Sequence, residues 1–433
     1  MEQLQYYFKI SLISIKRAPL PYLLTVLILS LGLGMFFANA TFYYRLNSDP
    51  LPQKSDKLFF PMMLLVPWDC DSGCEPPPVL SYSNVQKLGS SGIPTAQAAM
   101  YSSDSYVRLD SKQQPLPVRL RLTQRDFFQL FDVPVLAGSI WPDNSARYEV
   151  VIGKQLAEKL YGTADVVGKS LLVDDRHFTI SAVINPWQML PRLYDANNGS
   201  HISDTEQLFM PLETAYDLNY MSATMSRTMD DTDYRQLSTQ GRTGALHQLQ
   251  FWVQLDTPAQ QQAYRDFMLQ LAQSEQAAGR HPVHINNQLP ALRDIVRYFG
   301  RESGDVKAYA LVTLLFLVVC VFNASHLSLN RYISNQYEFS LRRALGASRW
   351  QLQQQLLVDV VVLTCITLVF ALLIGAASIQ LMNYLWPFNS LFASWDLSLL
   401  SALLLLSLGC SYLVTLYPSL RASFGALNQQ LKE

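Results

Sequence analysis

The chain has 433 residues, 49% of them hydrophobic and 15% charged, with a formal net charge of −1. A charge near zero excludes a nucleic-acid binder driven by a global basic field. Soluble proteins usually carry about a quarter of charged residues, so the low charged share points to a membrane. The apolar residues are also bunched. No Asp, Glu, Lys or Arg lies between Arg17 and Arg45, Lys307 and Arg331, Asp359 and Asp396, or Asp396 and Arg421.

A helix needs about 20 apolar residues to cross the hydrocarbon core, and each of these gaps is long enough. Residues 1–17 form a leader, and 18–44 the first membrane helix. Ala38-Asn39-Ala40 resembles a signal cleavage site, but a signal's apolar region runs only about 7–15 residues, and a retained helix is expected. Residues 45–305 follow, a segment long enough for two subdomains. Within it, WDCDSGCEPPP holds Cys70 and Cys74 around a turn-forming Asp-Ser-Gly. A local disulfide between them is expected if the segment lies in an oxidising compartment; free thiols are the alternative. RYEVVIG (147–153) reads as a strand, KQLAEKLY (154–161) as a helix and SLLVDDRHFTISAVI (170–184) as strands.

GTADVVGKS (162–170) lies between that helix and those strands. It approaches the Gly-Lys-Ser loop that cradles nucleotide phosphates, but that loop has four residues between its glycines and runs from a strand into a helix. Here Thr163 to Val167 make five, and the flanks are reversed. A surface turn is expected. Residues 187–207 and 224–244 read as polar loops. Asp230, Asp231 and Asp233 lack the glycine and terminal glutamate of a calcium loop. HQLQFWVQL (247–255) alternates like a strand, and 257–278 has a Thr cap and helical spacing. HPVHINNQL (281–289) reads as a second strand, giving a β-α-β unit with His281 and His284 on its surface. LPALRDIVRYFG (289–300) reads as an amphipathic helix. No nucleophile–base pair, carboxylate dyad or metal cluster stands out, so the chain is expected to be non-catalytic.

Three more membrane helices are expected at 306–329, 358–385 and 397–419, separated by the segments 330–357 and 386–396 and followed by a tail at 420–433. Lys and Arg near helix ends set orientation. Lys9, Lys16 and Arg17 in the leader, Arg331, Arg342, Arg343 and Arg349 in 330–357, and Arg421 and Lys432 in the tail place these three regions in the cytoplasm. The segment 45–305 then lies outside, away from ATP. Cys320, Cys365 and Cys410 fall inside apolar spans as small hydrophobes. The fold class is an α+β membrane protein, with one membrane helix before and three after a large extracytoplasmic α/β domain.

LTQRDFFQLFDVPVLAGSIW (122–141), VVIGKQLAEKLYGTADVVGKSLLVDDRHFTISAVI (150–184) and LFMPLETA (208–215) resemble, in order, the outer-domain signature of MacB-type ABC permeases. EFSLRRALGASRWQLQQQLLVD (338–359) and LYPSLRAS (416–423) resemble the FtsX-type membrane segments of the same transporters. Ser340 stands where that pattern has glycine, and Asp359 where it has glutamate. On this resemblance GTADVVGKS is the family's helix-to-strand turn.

The residues of 338–349 alone fit two readings: a basic segment on anionic lipid headgroups, or a coupling helix docked into a partner. The resemblance favours the second. It implies that Glu338, Arg342, Arg343, Leu345, Gly346, Ala347, Ser348 and Arg349 form the interface to a cytoplasmic ABC ATPase. It also implies a second permease, either an identical copy or a related chain. Only 17 residues precede the first span, so the ATPase is expected on a separate polypeptide, with ATP and magnesium bound there and no cofactor in this chain. The resemblance further implies a place in a Gram-negative inner membrane and export of a peptide or macrolide-like compound to a membrane-fusion adaptor and outer-membrane channel. Lol-type lipoprotein release and FtsX-type regulation of cell-wall hydrolases are the alternatives. Membrane lipid is the remaining expected partner, and nucleic acid is not one.

Overall fold

The computed structural model describes residues 2–17, 19–64, 75–187, 189, 191–198, 205–223, 227–228, 242, 246–279, 284–296, 304–334, 341, 348–385 and 397–424. Its helices are α1 (Glu2–Arg17), α2 (Pro19–Asn47), α3 (Tyr82–Gly89), α4 (Phe127–Leu130), α5 (Lys154–Tyr161), α6 (Leu212–Asp217), α7 (Pro258–Ala277), α8 (Gly304–Ser334), α9 (Arg349–Leu385) and α10 (Leu397–Phe424). Its strands are β1 (Leu58–Phe59), β2 (Leu80–Ser81), β3 (Ala96–Arg108), β4 (Leu116–Thr123), β5 (Val135–Gly138), β6 (Glu149–Gly153), β7 (Ser170–Val173), β8 (Arg176–Ile184), β9 (Leu208–Pro211), β10 (Arg227–Thr228) and β11 (Leu246–Gln254). The chain divides into a helical unit, Met1–Arg45 with Glu302–Glu433, and a sheet unit, Leu46–Arg301.

In the helical unit, four stretches are long and apolar enough to cross a membrane: Pro19–Tyr44, Lys307–Leu329, Gln353–Leu381 and Ser398–Thr415. Pro19 opens α2 at a position where its missing N–H would have no helical partner anyway. Tyr22, Val26, Leu29, Leu33 and Phe37 recur at helical spacing along α2 and pack with Leu317, Leu363, Ala371, Leu403 and Val414. Two glycines let α2 approach its neighbours closely. A Cβ at Gly32 would lie 2.9 Å from Cys320 Cβ of α8, and one at Gly34 would lie 2.8 Å from the Ala371 carbonyl oxygen of α9. Such small-residue contacts are how helices pack where no hydrophobic effect drives them together.

In the sheet unit, the described strands form one sheet with the path β1-β11-β3-β4-β9-β6-β8-β5; β2 and β10 add to β11, and β7 pairs with β3 and β8. Two pairings on this path, β4 with β9 and β6 with β8, are parallel. Alternate side chains of each strand enter opposite cores. Ala99, Tyr101, Leu120, Leu122, Val150, Ile152, Phe251 and Val253 face a core closed by residues of α3, α5, α6 and α7. Ala98, Met100, Val151, Phe209 and Trp252 face a second core with Phe127, Phe128, Phe131, Trp141 and Tyr194. The two subdomains expected within 45–305 are not separate: Leu46–Arg301 is one compact unit built on one sheet, with a core on each face.

Local signals read from the sequence decide several ends. Thr257 caps α7 in a reciprocal box with Gln260. Gly162, at φ 73°, ends α5 in the left-handed conformation that glycine adopts without strain. The expected strand at 281–289 is not formed among its described residues: Gln288 makes an isolated antiparallel bridge to Met62. A β-α-β unit would need an open side on β11, and both sides are taken, by β1 and β3. Residues 280–283, including His281, lie outside the described residues, and His284 is exposed. Cys70 and Cys74 also lie outside them, while Cys320, Cys365 and Cys410 are free thiols.

Candidate coupling site

The segment expected to meet an ATPase is described only in part. Glu338, Arg342, Arg343, Leu345, Gly346 and Ala347 lie outside the described residues, and Leu341 is an exposed helical residue. Ser348 is the N-cap of α9: Gln351 N–H donates to Ser348 Oγ at 3.2 Å, and Ser348 N–H donates to Gln351 Oε1 at 2.9 Å. This reciprocal box is the S-x-x-Q signature of a helix start. It places Arg349 in the first turn of α9, so the helix begins nine residues before the expected span at 358.

The sheet unit begins and ends with segments that the chain joins to α2 and α8, and within the unit these two segments are fastened side by side. Phe60 N–H donates to the Pro290 carbonyl at 3.0 Å, and Met62 and Gln288 exchange backbone bonds of 2.9 and 3.0 Å. Arg293 N–H donates to the Ser55 carbonyl at 3.3 Å, and its guanidinium meets Asp56 at 2.7 Å. Lys54 Nζ donates to the Gln129 carbonyl at 2.6 Å, tying the first segment to the end of α4. Both segments also insert side chains into the second core: Leu51, Leu58 and Phe60 from one, Leu292, Ile295 and Val296 from the other. Close-packed interiors transmit strain, so a displacement of either segment is felt in this core.

At the heart of that core lies an ion network that the sequence did not reveal. Arg121 of β4 meets Asp195 at 2.6 Å and also pairs with Glu206. Arg192 meets Asp195 at 3.0 Å and Glu206 at 3.1 Å. Tyr194 Oη donates to Glu206 Oε2 at 2.6 Å, and Gln250 Nε2 donates to Asp195 Oδ1 at 2.9 Å. The two arginines and two carboxylates are charge-balanced and wholly or almost wholly buried. Burial alone would raise the Glu206 pKa, but Arg121 and Arg192 outweigh it and hold the carboxyl at about 2. Burial would lower the Arg121 pKa, and its two carboxylates overcome that as well, raising it. The network ties β4, β11, residues 192–195 and Glu206 across one face of the sheet.

Arg121 alternates with Leu120 and Leu122, a pattern that by itself fits a half-buried strand with the arginine toward solvent. Its strand is buried on both faces, which one strand's pattern cannot disclose. Among the described residues, no group of three or more His, Cys, Asp or Glu is placed to hold a metal ion. The turn 162–170 is a helix-to-strand connection. Gly168 at φ 81° bends it, Gly168 N–H donates to the Ile180 carbonyl at 2.8 Å, and Lys169 Nζ sits 5.5 Å from the Tyr161 ring centre.

Residues 22–270 match the MacB-like periplasmic core domain, and residues 309–426 match the FtsX-like permease C-terminal domain. No curated protein matches the sequence. Among solved structures, the periplasmic region of MacB from Actinobacillus actinomycetemcomitans is 11% identical; the match covers 60% of this chain and 99% of that one, with a TM-score of 0.37. A domain of a permease protein from Porphyromonas gingivalis is 16% identical over 55% and 92%, also at 0.37. The extracellular domain of the ABC-type transporter YknZ from Gram-positive bacteria is 13% identical over 54% and 98%, at 0.33. The first domain match alone spans more than half of the chain. The protein belongs to the MacB/FtsX-type ABC permeases, as a membrane protein with a MacB-like extracytoplasmic domain.

Proposed function

We propose that this chain is the permease subunit of an ABC exporter in a bacterial inner membrane, with both termini cytoplasmic. A separate cytoplasmic ATPase binds ATP and magnesium and docks on Glu338, Arg342, Arg343, Leu345, Gly346, Ala347, Ser348 and Arg349. Closure there moves the membrane helices, and the movement reaches the outer domain through the paired segments 51–62 and 288–296. The substrate is a peptide or macrolide-like compound handed to a membrane-fusion adaptor and outer-membrane channel, and the permease works with a second permease chain. Cys70 and Cys74 form a disulfide outside.

The observation that carries this reading is the fastening of both connecting segments into one core, by Phe60 to Pro290, Met62 to Gln288 and Arg293 to Asp56. A domain tethered to the bundle only for display would not need its two tethers locked together. The lack of Lys and Arg in 386–396, against four Arg residues in 330–357, supports the orientation. The test is reconstitution of the chain with its ATPase in liposomes, reading substrate movement. Efflux that needs ATP and is lost on unlocking the segments with Arg293→Ala and Asp56→Ala supports the reading. Release of an acylated lipoprotein from the bilayer would replace the export substrate. ATP-dependent activation of a cell-wall hydrolase without any transport would replace export altogether.

A further inference from the structure

The ion network spans β3 without a bond to it. Arg121 stands on β4 and Gln250 on β11, and β3 runs between these two strands. They are therefore two strand spacings apart, each about 4.7–4.9 Å, yet both reach Asp195, at 2.6 and 2.9 Å. Ser102 of β3 is the direct cross-strand partner of Arg121, and Met100 is that of Gln250. Cross-strand partners share a face of the sheet. Ser102 and Met100 thus stand beneath the arch that Arg121, Asp195 and Gln250 make over β3, and Ser102 is the smallest side chain there.

Three side chains around this arch keep open polar atoms. Ser102 and Arg121 are 0% exposed and Gln250 is 2% exposed. Ser102 Oγ, Arg121 Nε and Nη1, and Gln250 Oε1 have no hydrogen-bond partner among the described residues. Buried polar groups are nearly always bonded, so four open atoms on neighbouring strands of one face point to a common ligand. Their chemistry restricts what it can be. The open Arg121 groups only donate, and the Ser102 hydroxyl can donate or accept. Gln250 cannot turn its amide over, since its Nε2 donates to Asp195 Oδ1 and a carboxylate only accepts. Oε1 therefore stays an acceptor. A halide could accept from Arg121 but could not donate to Gln250, and it would add negative charge beside Asp195 and Glu206. A metal ion or ammonium would lie against the guanidinium. Water meets both demands.

We propose that the arch over Ser102 is the site of an internal water molecule. It accepts a hydrogen bond from an open N–H of Arg121, donates one to Gln250 Oε1 and bonds to the Ser102 hydroxyl. Internal waters typically make about three hydrogen bonds to otherwise unsatisfied groups, and three side chains offer them here. The water makes β3 a member of the network. Three adjacent strands, β11, β3 and β4, are then held by one continuous set of polar bonds, where the side chains alone join only the outer two.

The test uses the full chain in detergent micelles, native and Ser102→Val. Valine removes the hydroxyl and fills the room beside it, and its branched side chain suits a strand. Relaxation dispersion of the solvent oxygen nuclei counts waters held long enough to tumble with the protein. The native chain is expected to hold one more such water than Ser102→Val. Should the variant fold poorly, the native chain decides the matter alone. A structure of the full chain that shows ordered water should place one about 2.7–3.2 Å from Ser102 Oγ, Gln250 Oε1 and a nitrogen of Arg121. Equal counts in a folded variant and the native chain overturn the site. So does a native structure in which Ser102 bonds directly to Arg121 or Gln250, or in which bromide supplied in place of chloride occupies the arch.

Discussion

The two units of this protein bury polar groups in opposite ways. In the helical unit, several threonine hydroxyls close on their own helix. Thr25 donates to the Pro21 carbonyl, Thr41 to Phe37, Thr364 to Val360 and Thr367 to Leu363, each four residues back at 2.8 Å. In the sheet unit, Arg121, Arg192, Asp195, Glu206 and Gln250 bond one another from separate stretches of chain. The first solution is mostly local, joined by two bonds between helices, from Ser30 to the Thr367 carbonyl and from Asn39 to the Thr313 hydroxyl, each at 3.2 Å. The second is global, and it fixes several elements at once.

Breaking the global solution should have the largest effect. Arg121→Met leaves Asp195 and Glu206 sharing Arg192, one uncompensated negative charge in a buried core. Removal of one partner from a buried ion group costs about 3–5 kcal/mol. Urea unfolding followed by tryptophan fluorescence should show a loss of this size, since Trp141, Trp187 and Trp252 pack in or against this core. Acid probes the same network. Glu206 has its pKa depressed from 4.5 to about 2 in the fold. Its contribution is therefore present above about pH 4.5 and is lost as pH falls toward 2. Glu206→Gln should start less stable and lose less over that window.

Reversal of charge at the proposed ATPase interface comes next. Arg342→Glu with Arg343→Glu should cut co-purification with the ATPase, since truncating or reversing a buried charged contact costs about 2–5 kcal/mol. Insertion of the chain should survive, because Lys9, Lys16, Arg17, Arg331 and Arg349 keep its orientation. Full ATPase binding with intact export would move the segment to the lipid surface.

A smaller effect tests the local solution in the bundle. Gly34→Ala puts a methyl 2.8 Å from the Ala371 carbonyl oxygen and 2.9 Å from Ile374. Overpacking of this kind costs about 1–3 kcal/mol, and α2 would have to move away from α9. Gly409→Ala is the control: nothing lies within 4 Å of its added carbon, and an alanine in a helix should be neutral or stabilising by about 0.5–1 kcal/mol. Unfolding in detergent should separate the two variants. Equal behaviour would mean that α2 and α9 are not held this closely.

The same contrast explains what the sequence made legible. The four membrane helices, the cap at Thr257, the helix-to-strand turn at Gly162 and the alternation of 247–255 are local, and local patterns carry them. The S-x-x-Q box at Ser348 was legible too, yet the hydropathy boundary at Asp359 masked it, because a helix can begin before its apolar stretch does. The ion network draws on positions 121, 192, 195, 206 and 250, which no spacing rule connects. Its arginine sits in an alternating strand that reads as half-exposed. The strand expected at 281–289 failed for a reason only topology supplies, since β11 already had two partners.

The smallest effect is expected at Lys169, the residue that most resembles part of a nucleotide site. In the fold its ammonium lies 5.5 Å from the ring centre of Tyr161, across the turn that joins α5 to β7. The Tyr161 hydroxyl donates to the Ser170 carbonyl at 2.7 Å, and Ile180 N–H donates to the Lys169 carbonyl at 2.9 Å. The backbone around Lys169 is thus committed to the sheet and does not curl around a phosphate. What the side chain contributes is one exposed cation–π contact, worth about 0.5–1 kcal/mol. Lys169→Ala should lower stability by no more than that, and Lys169→Arg should restore it, since a guanidinium stacks on the same ring. ATP hydrolysis by the assembled transporter should be unchanged in both. A collapse of hydrolysis in a folded, assembled Lys169→Ala complex would contradict the placement of this turn in the extracytoplasmic domain, and with it the division of labour between the two units.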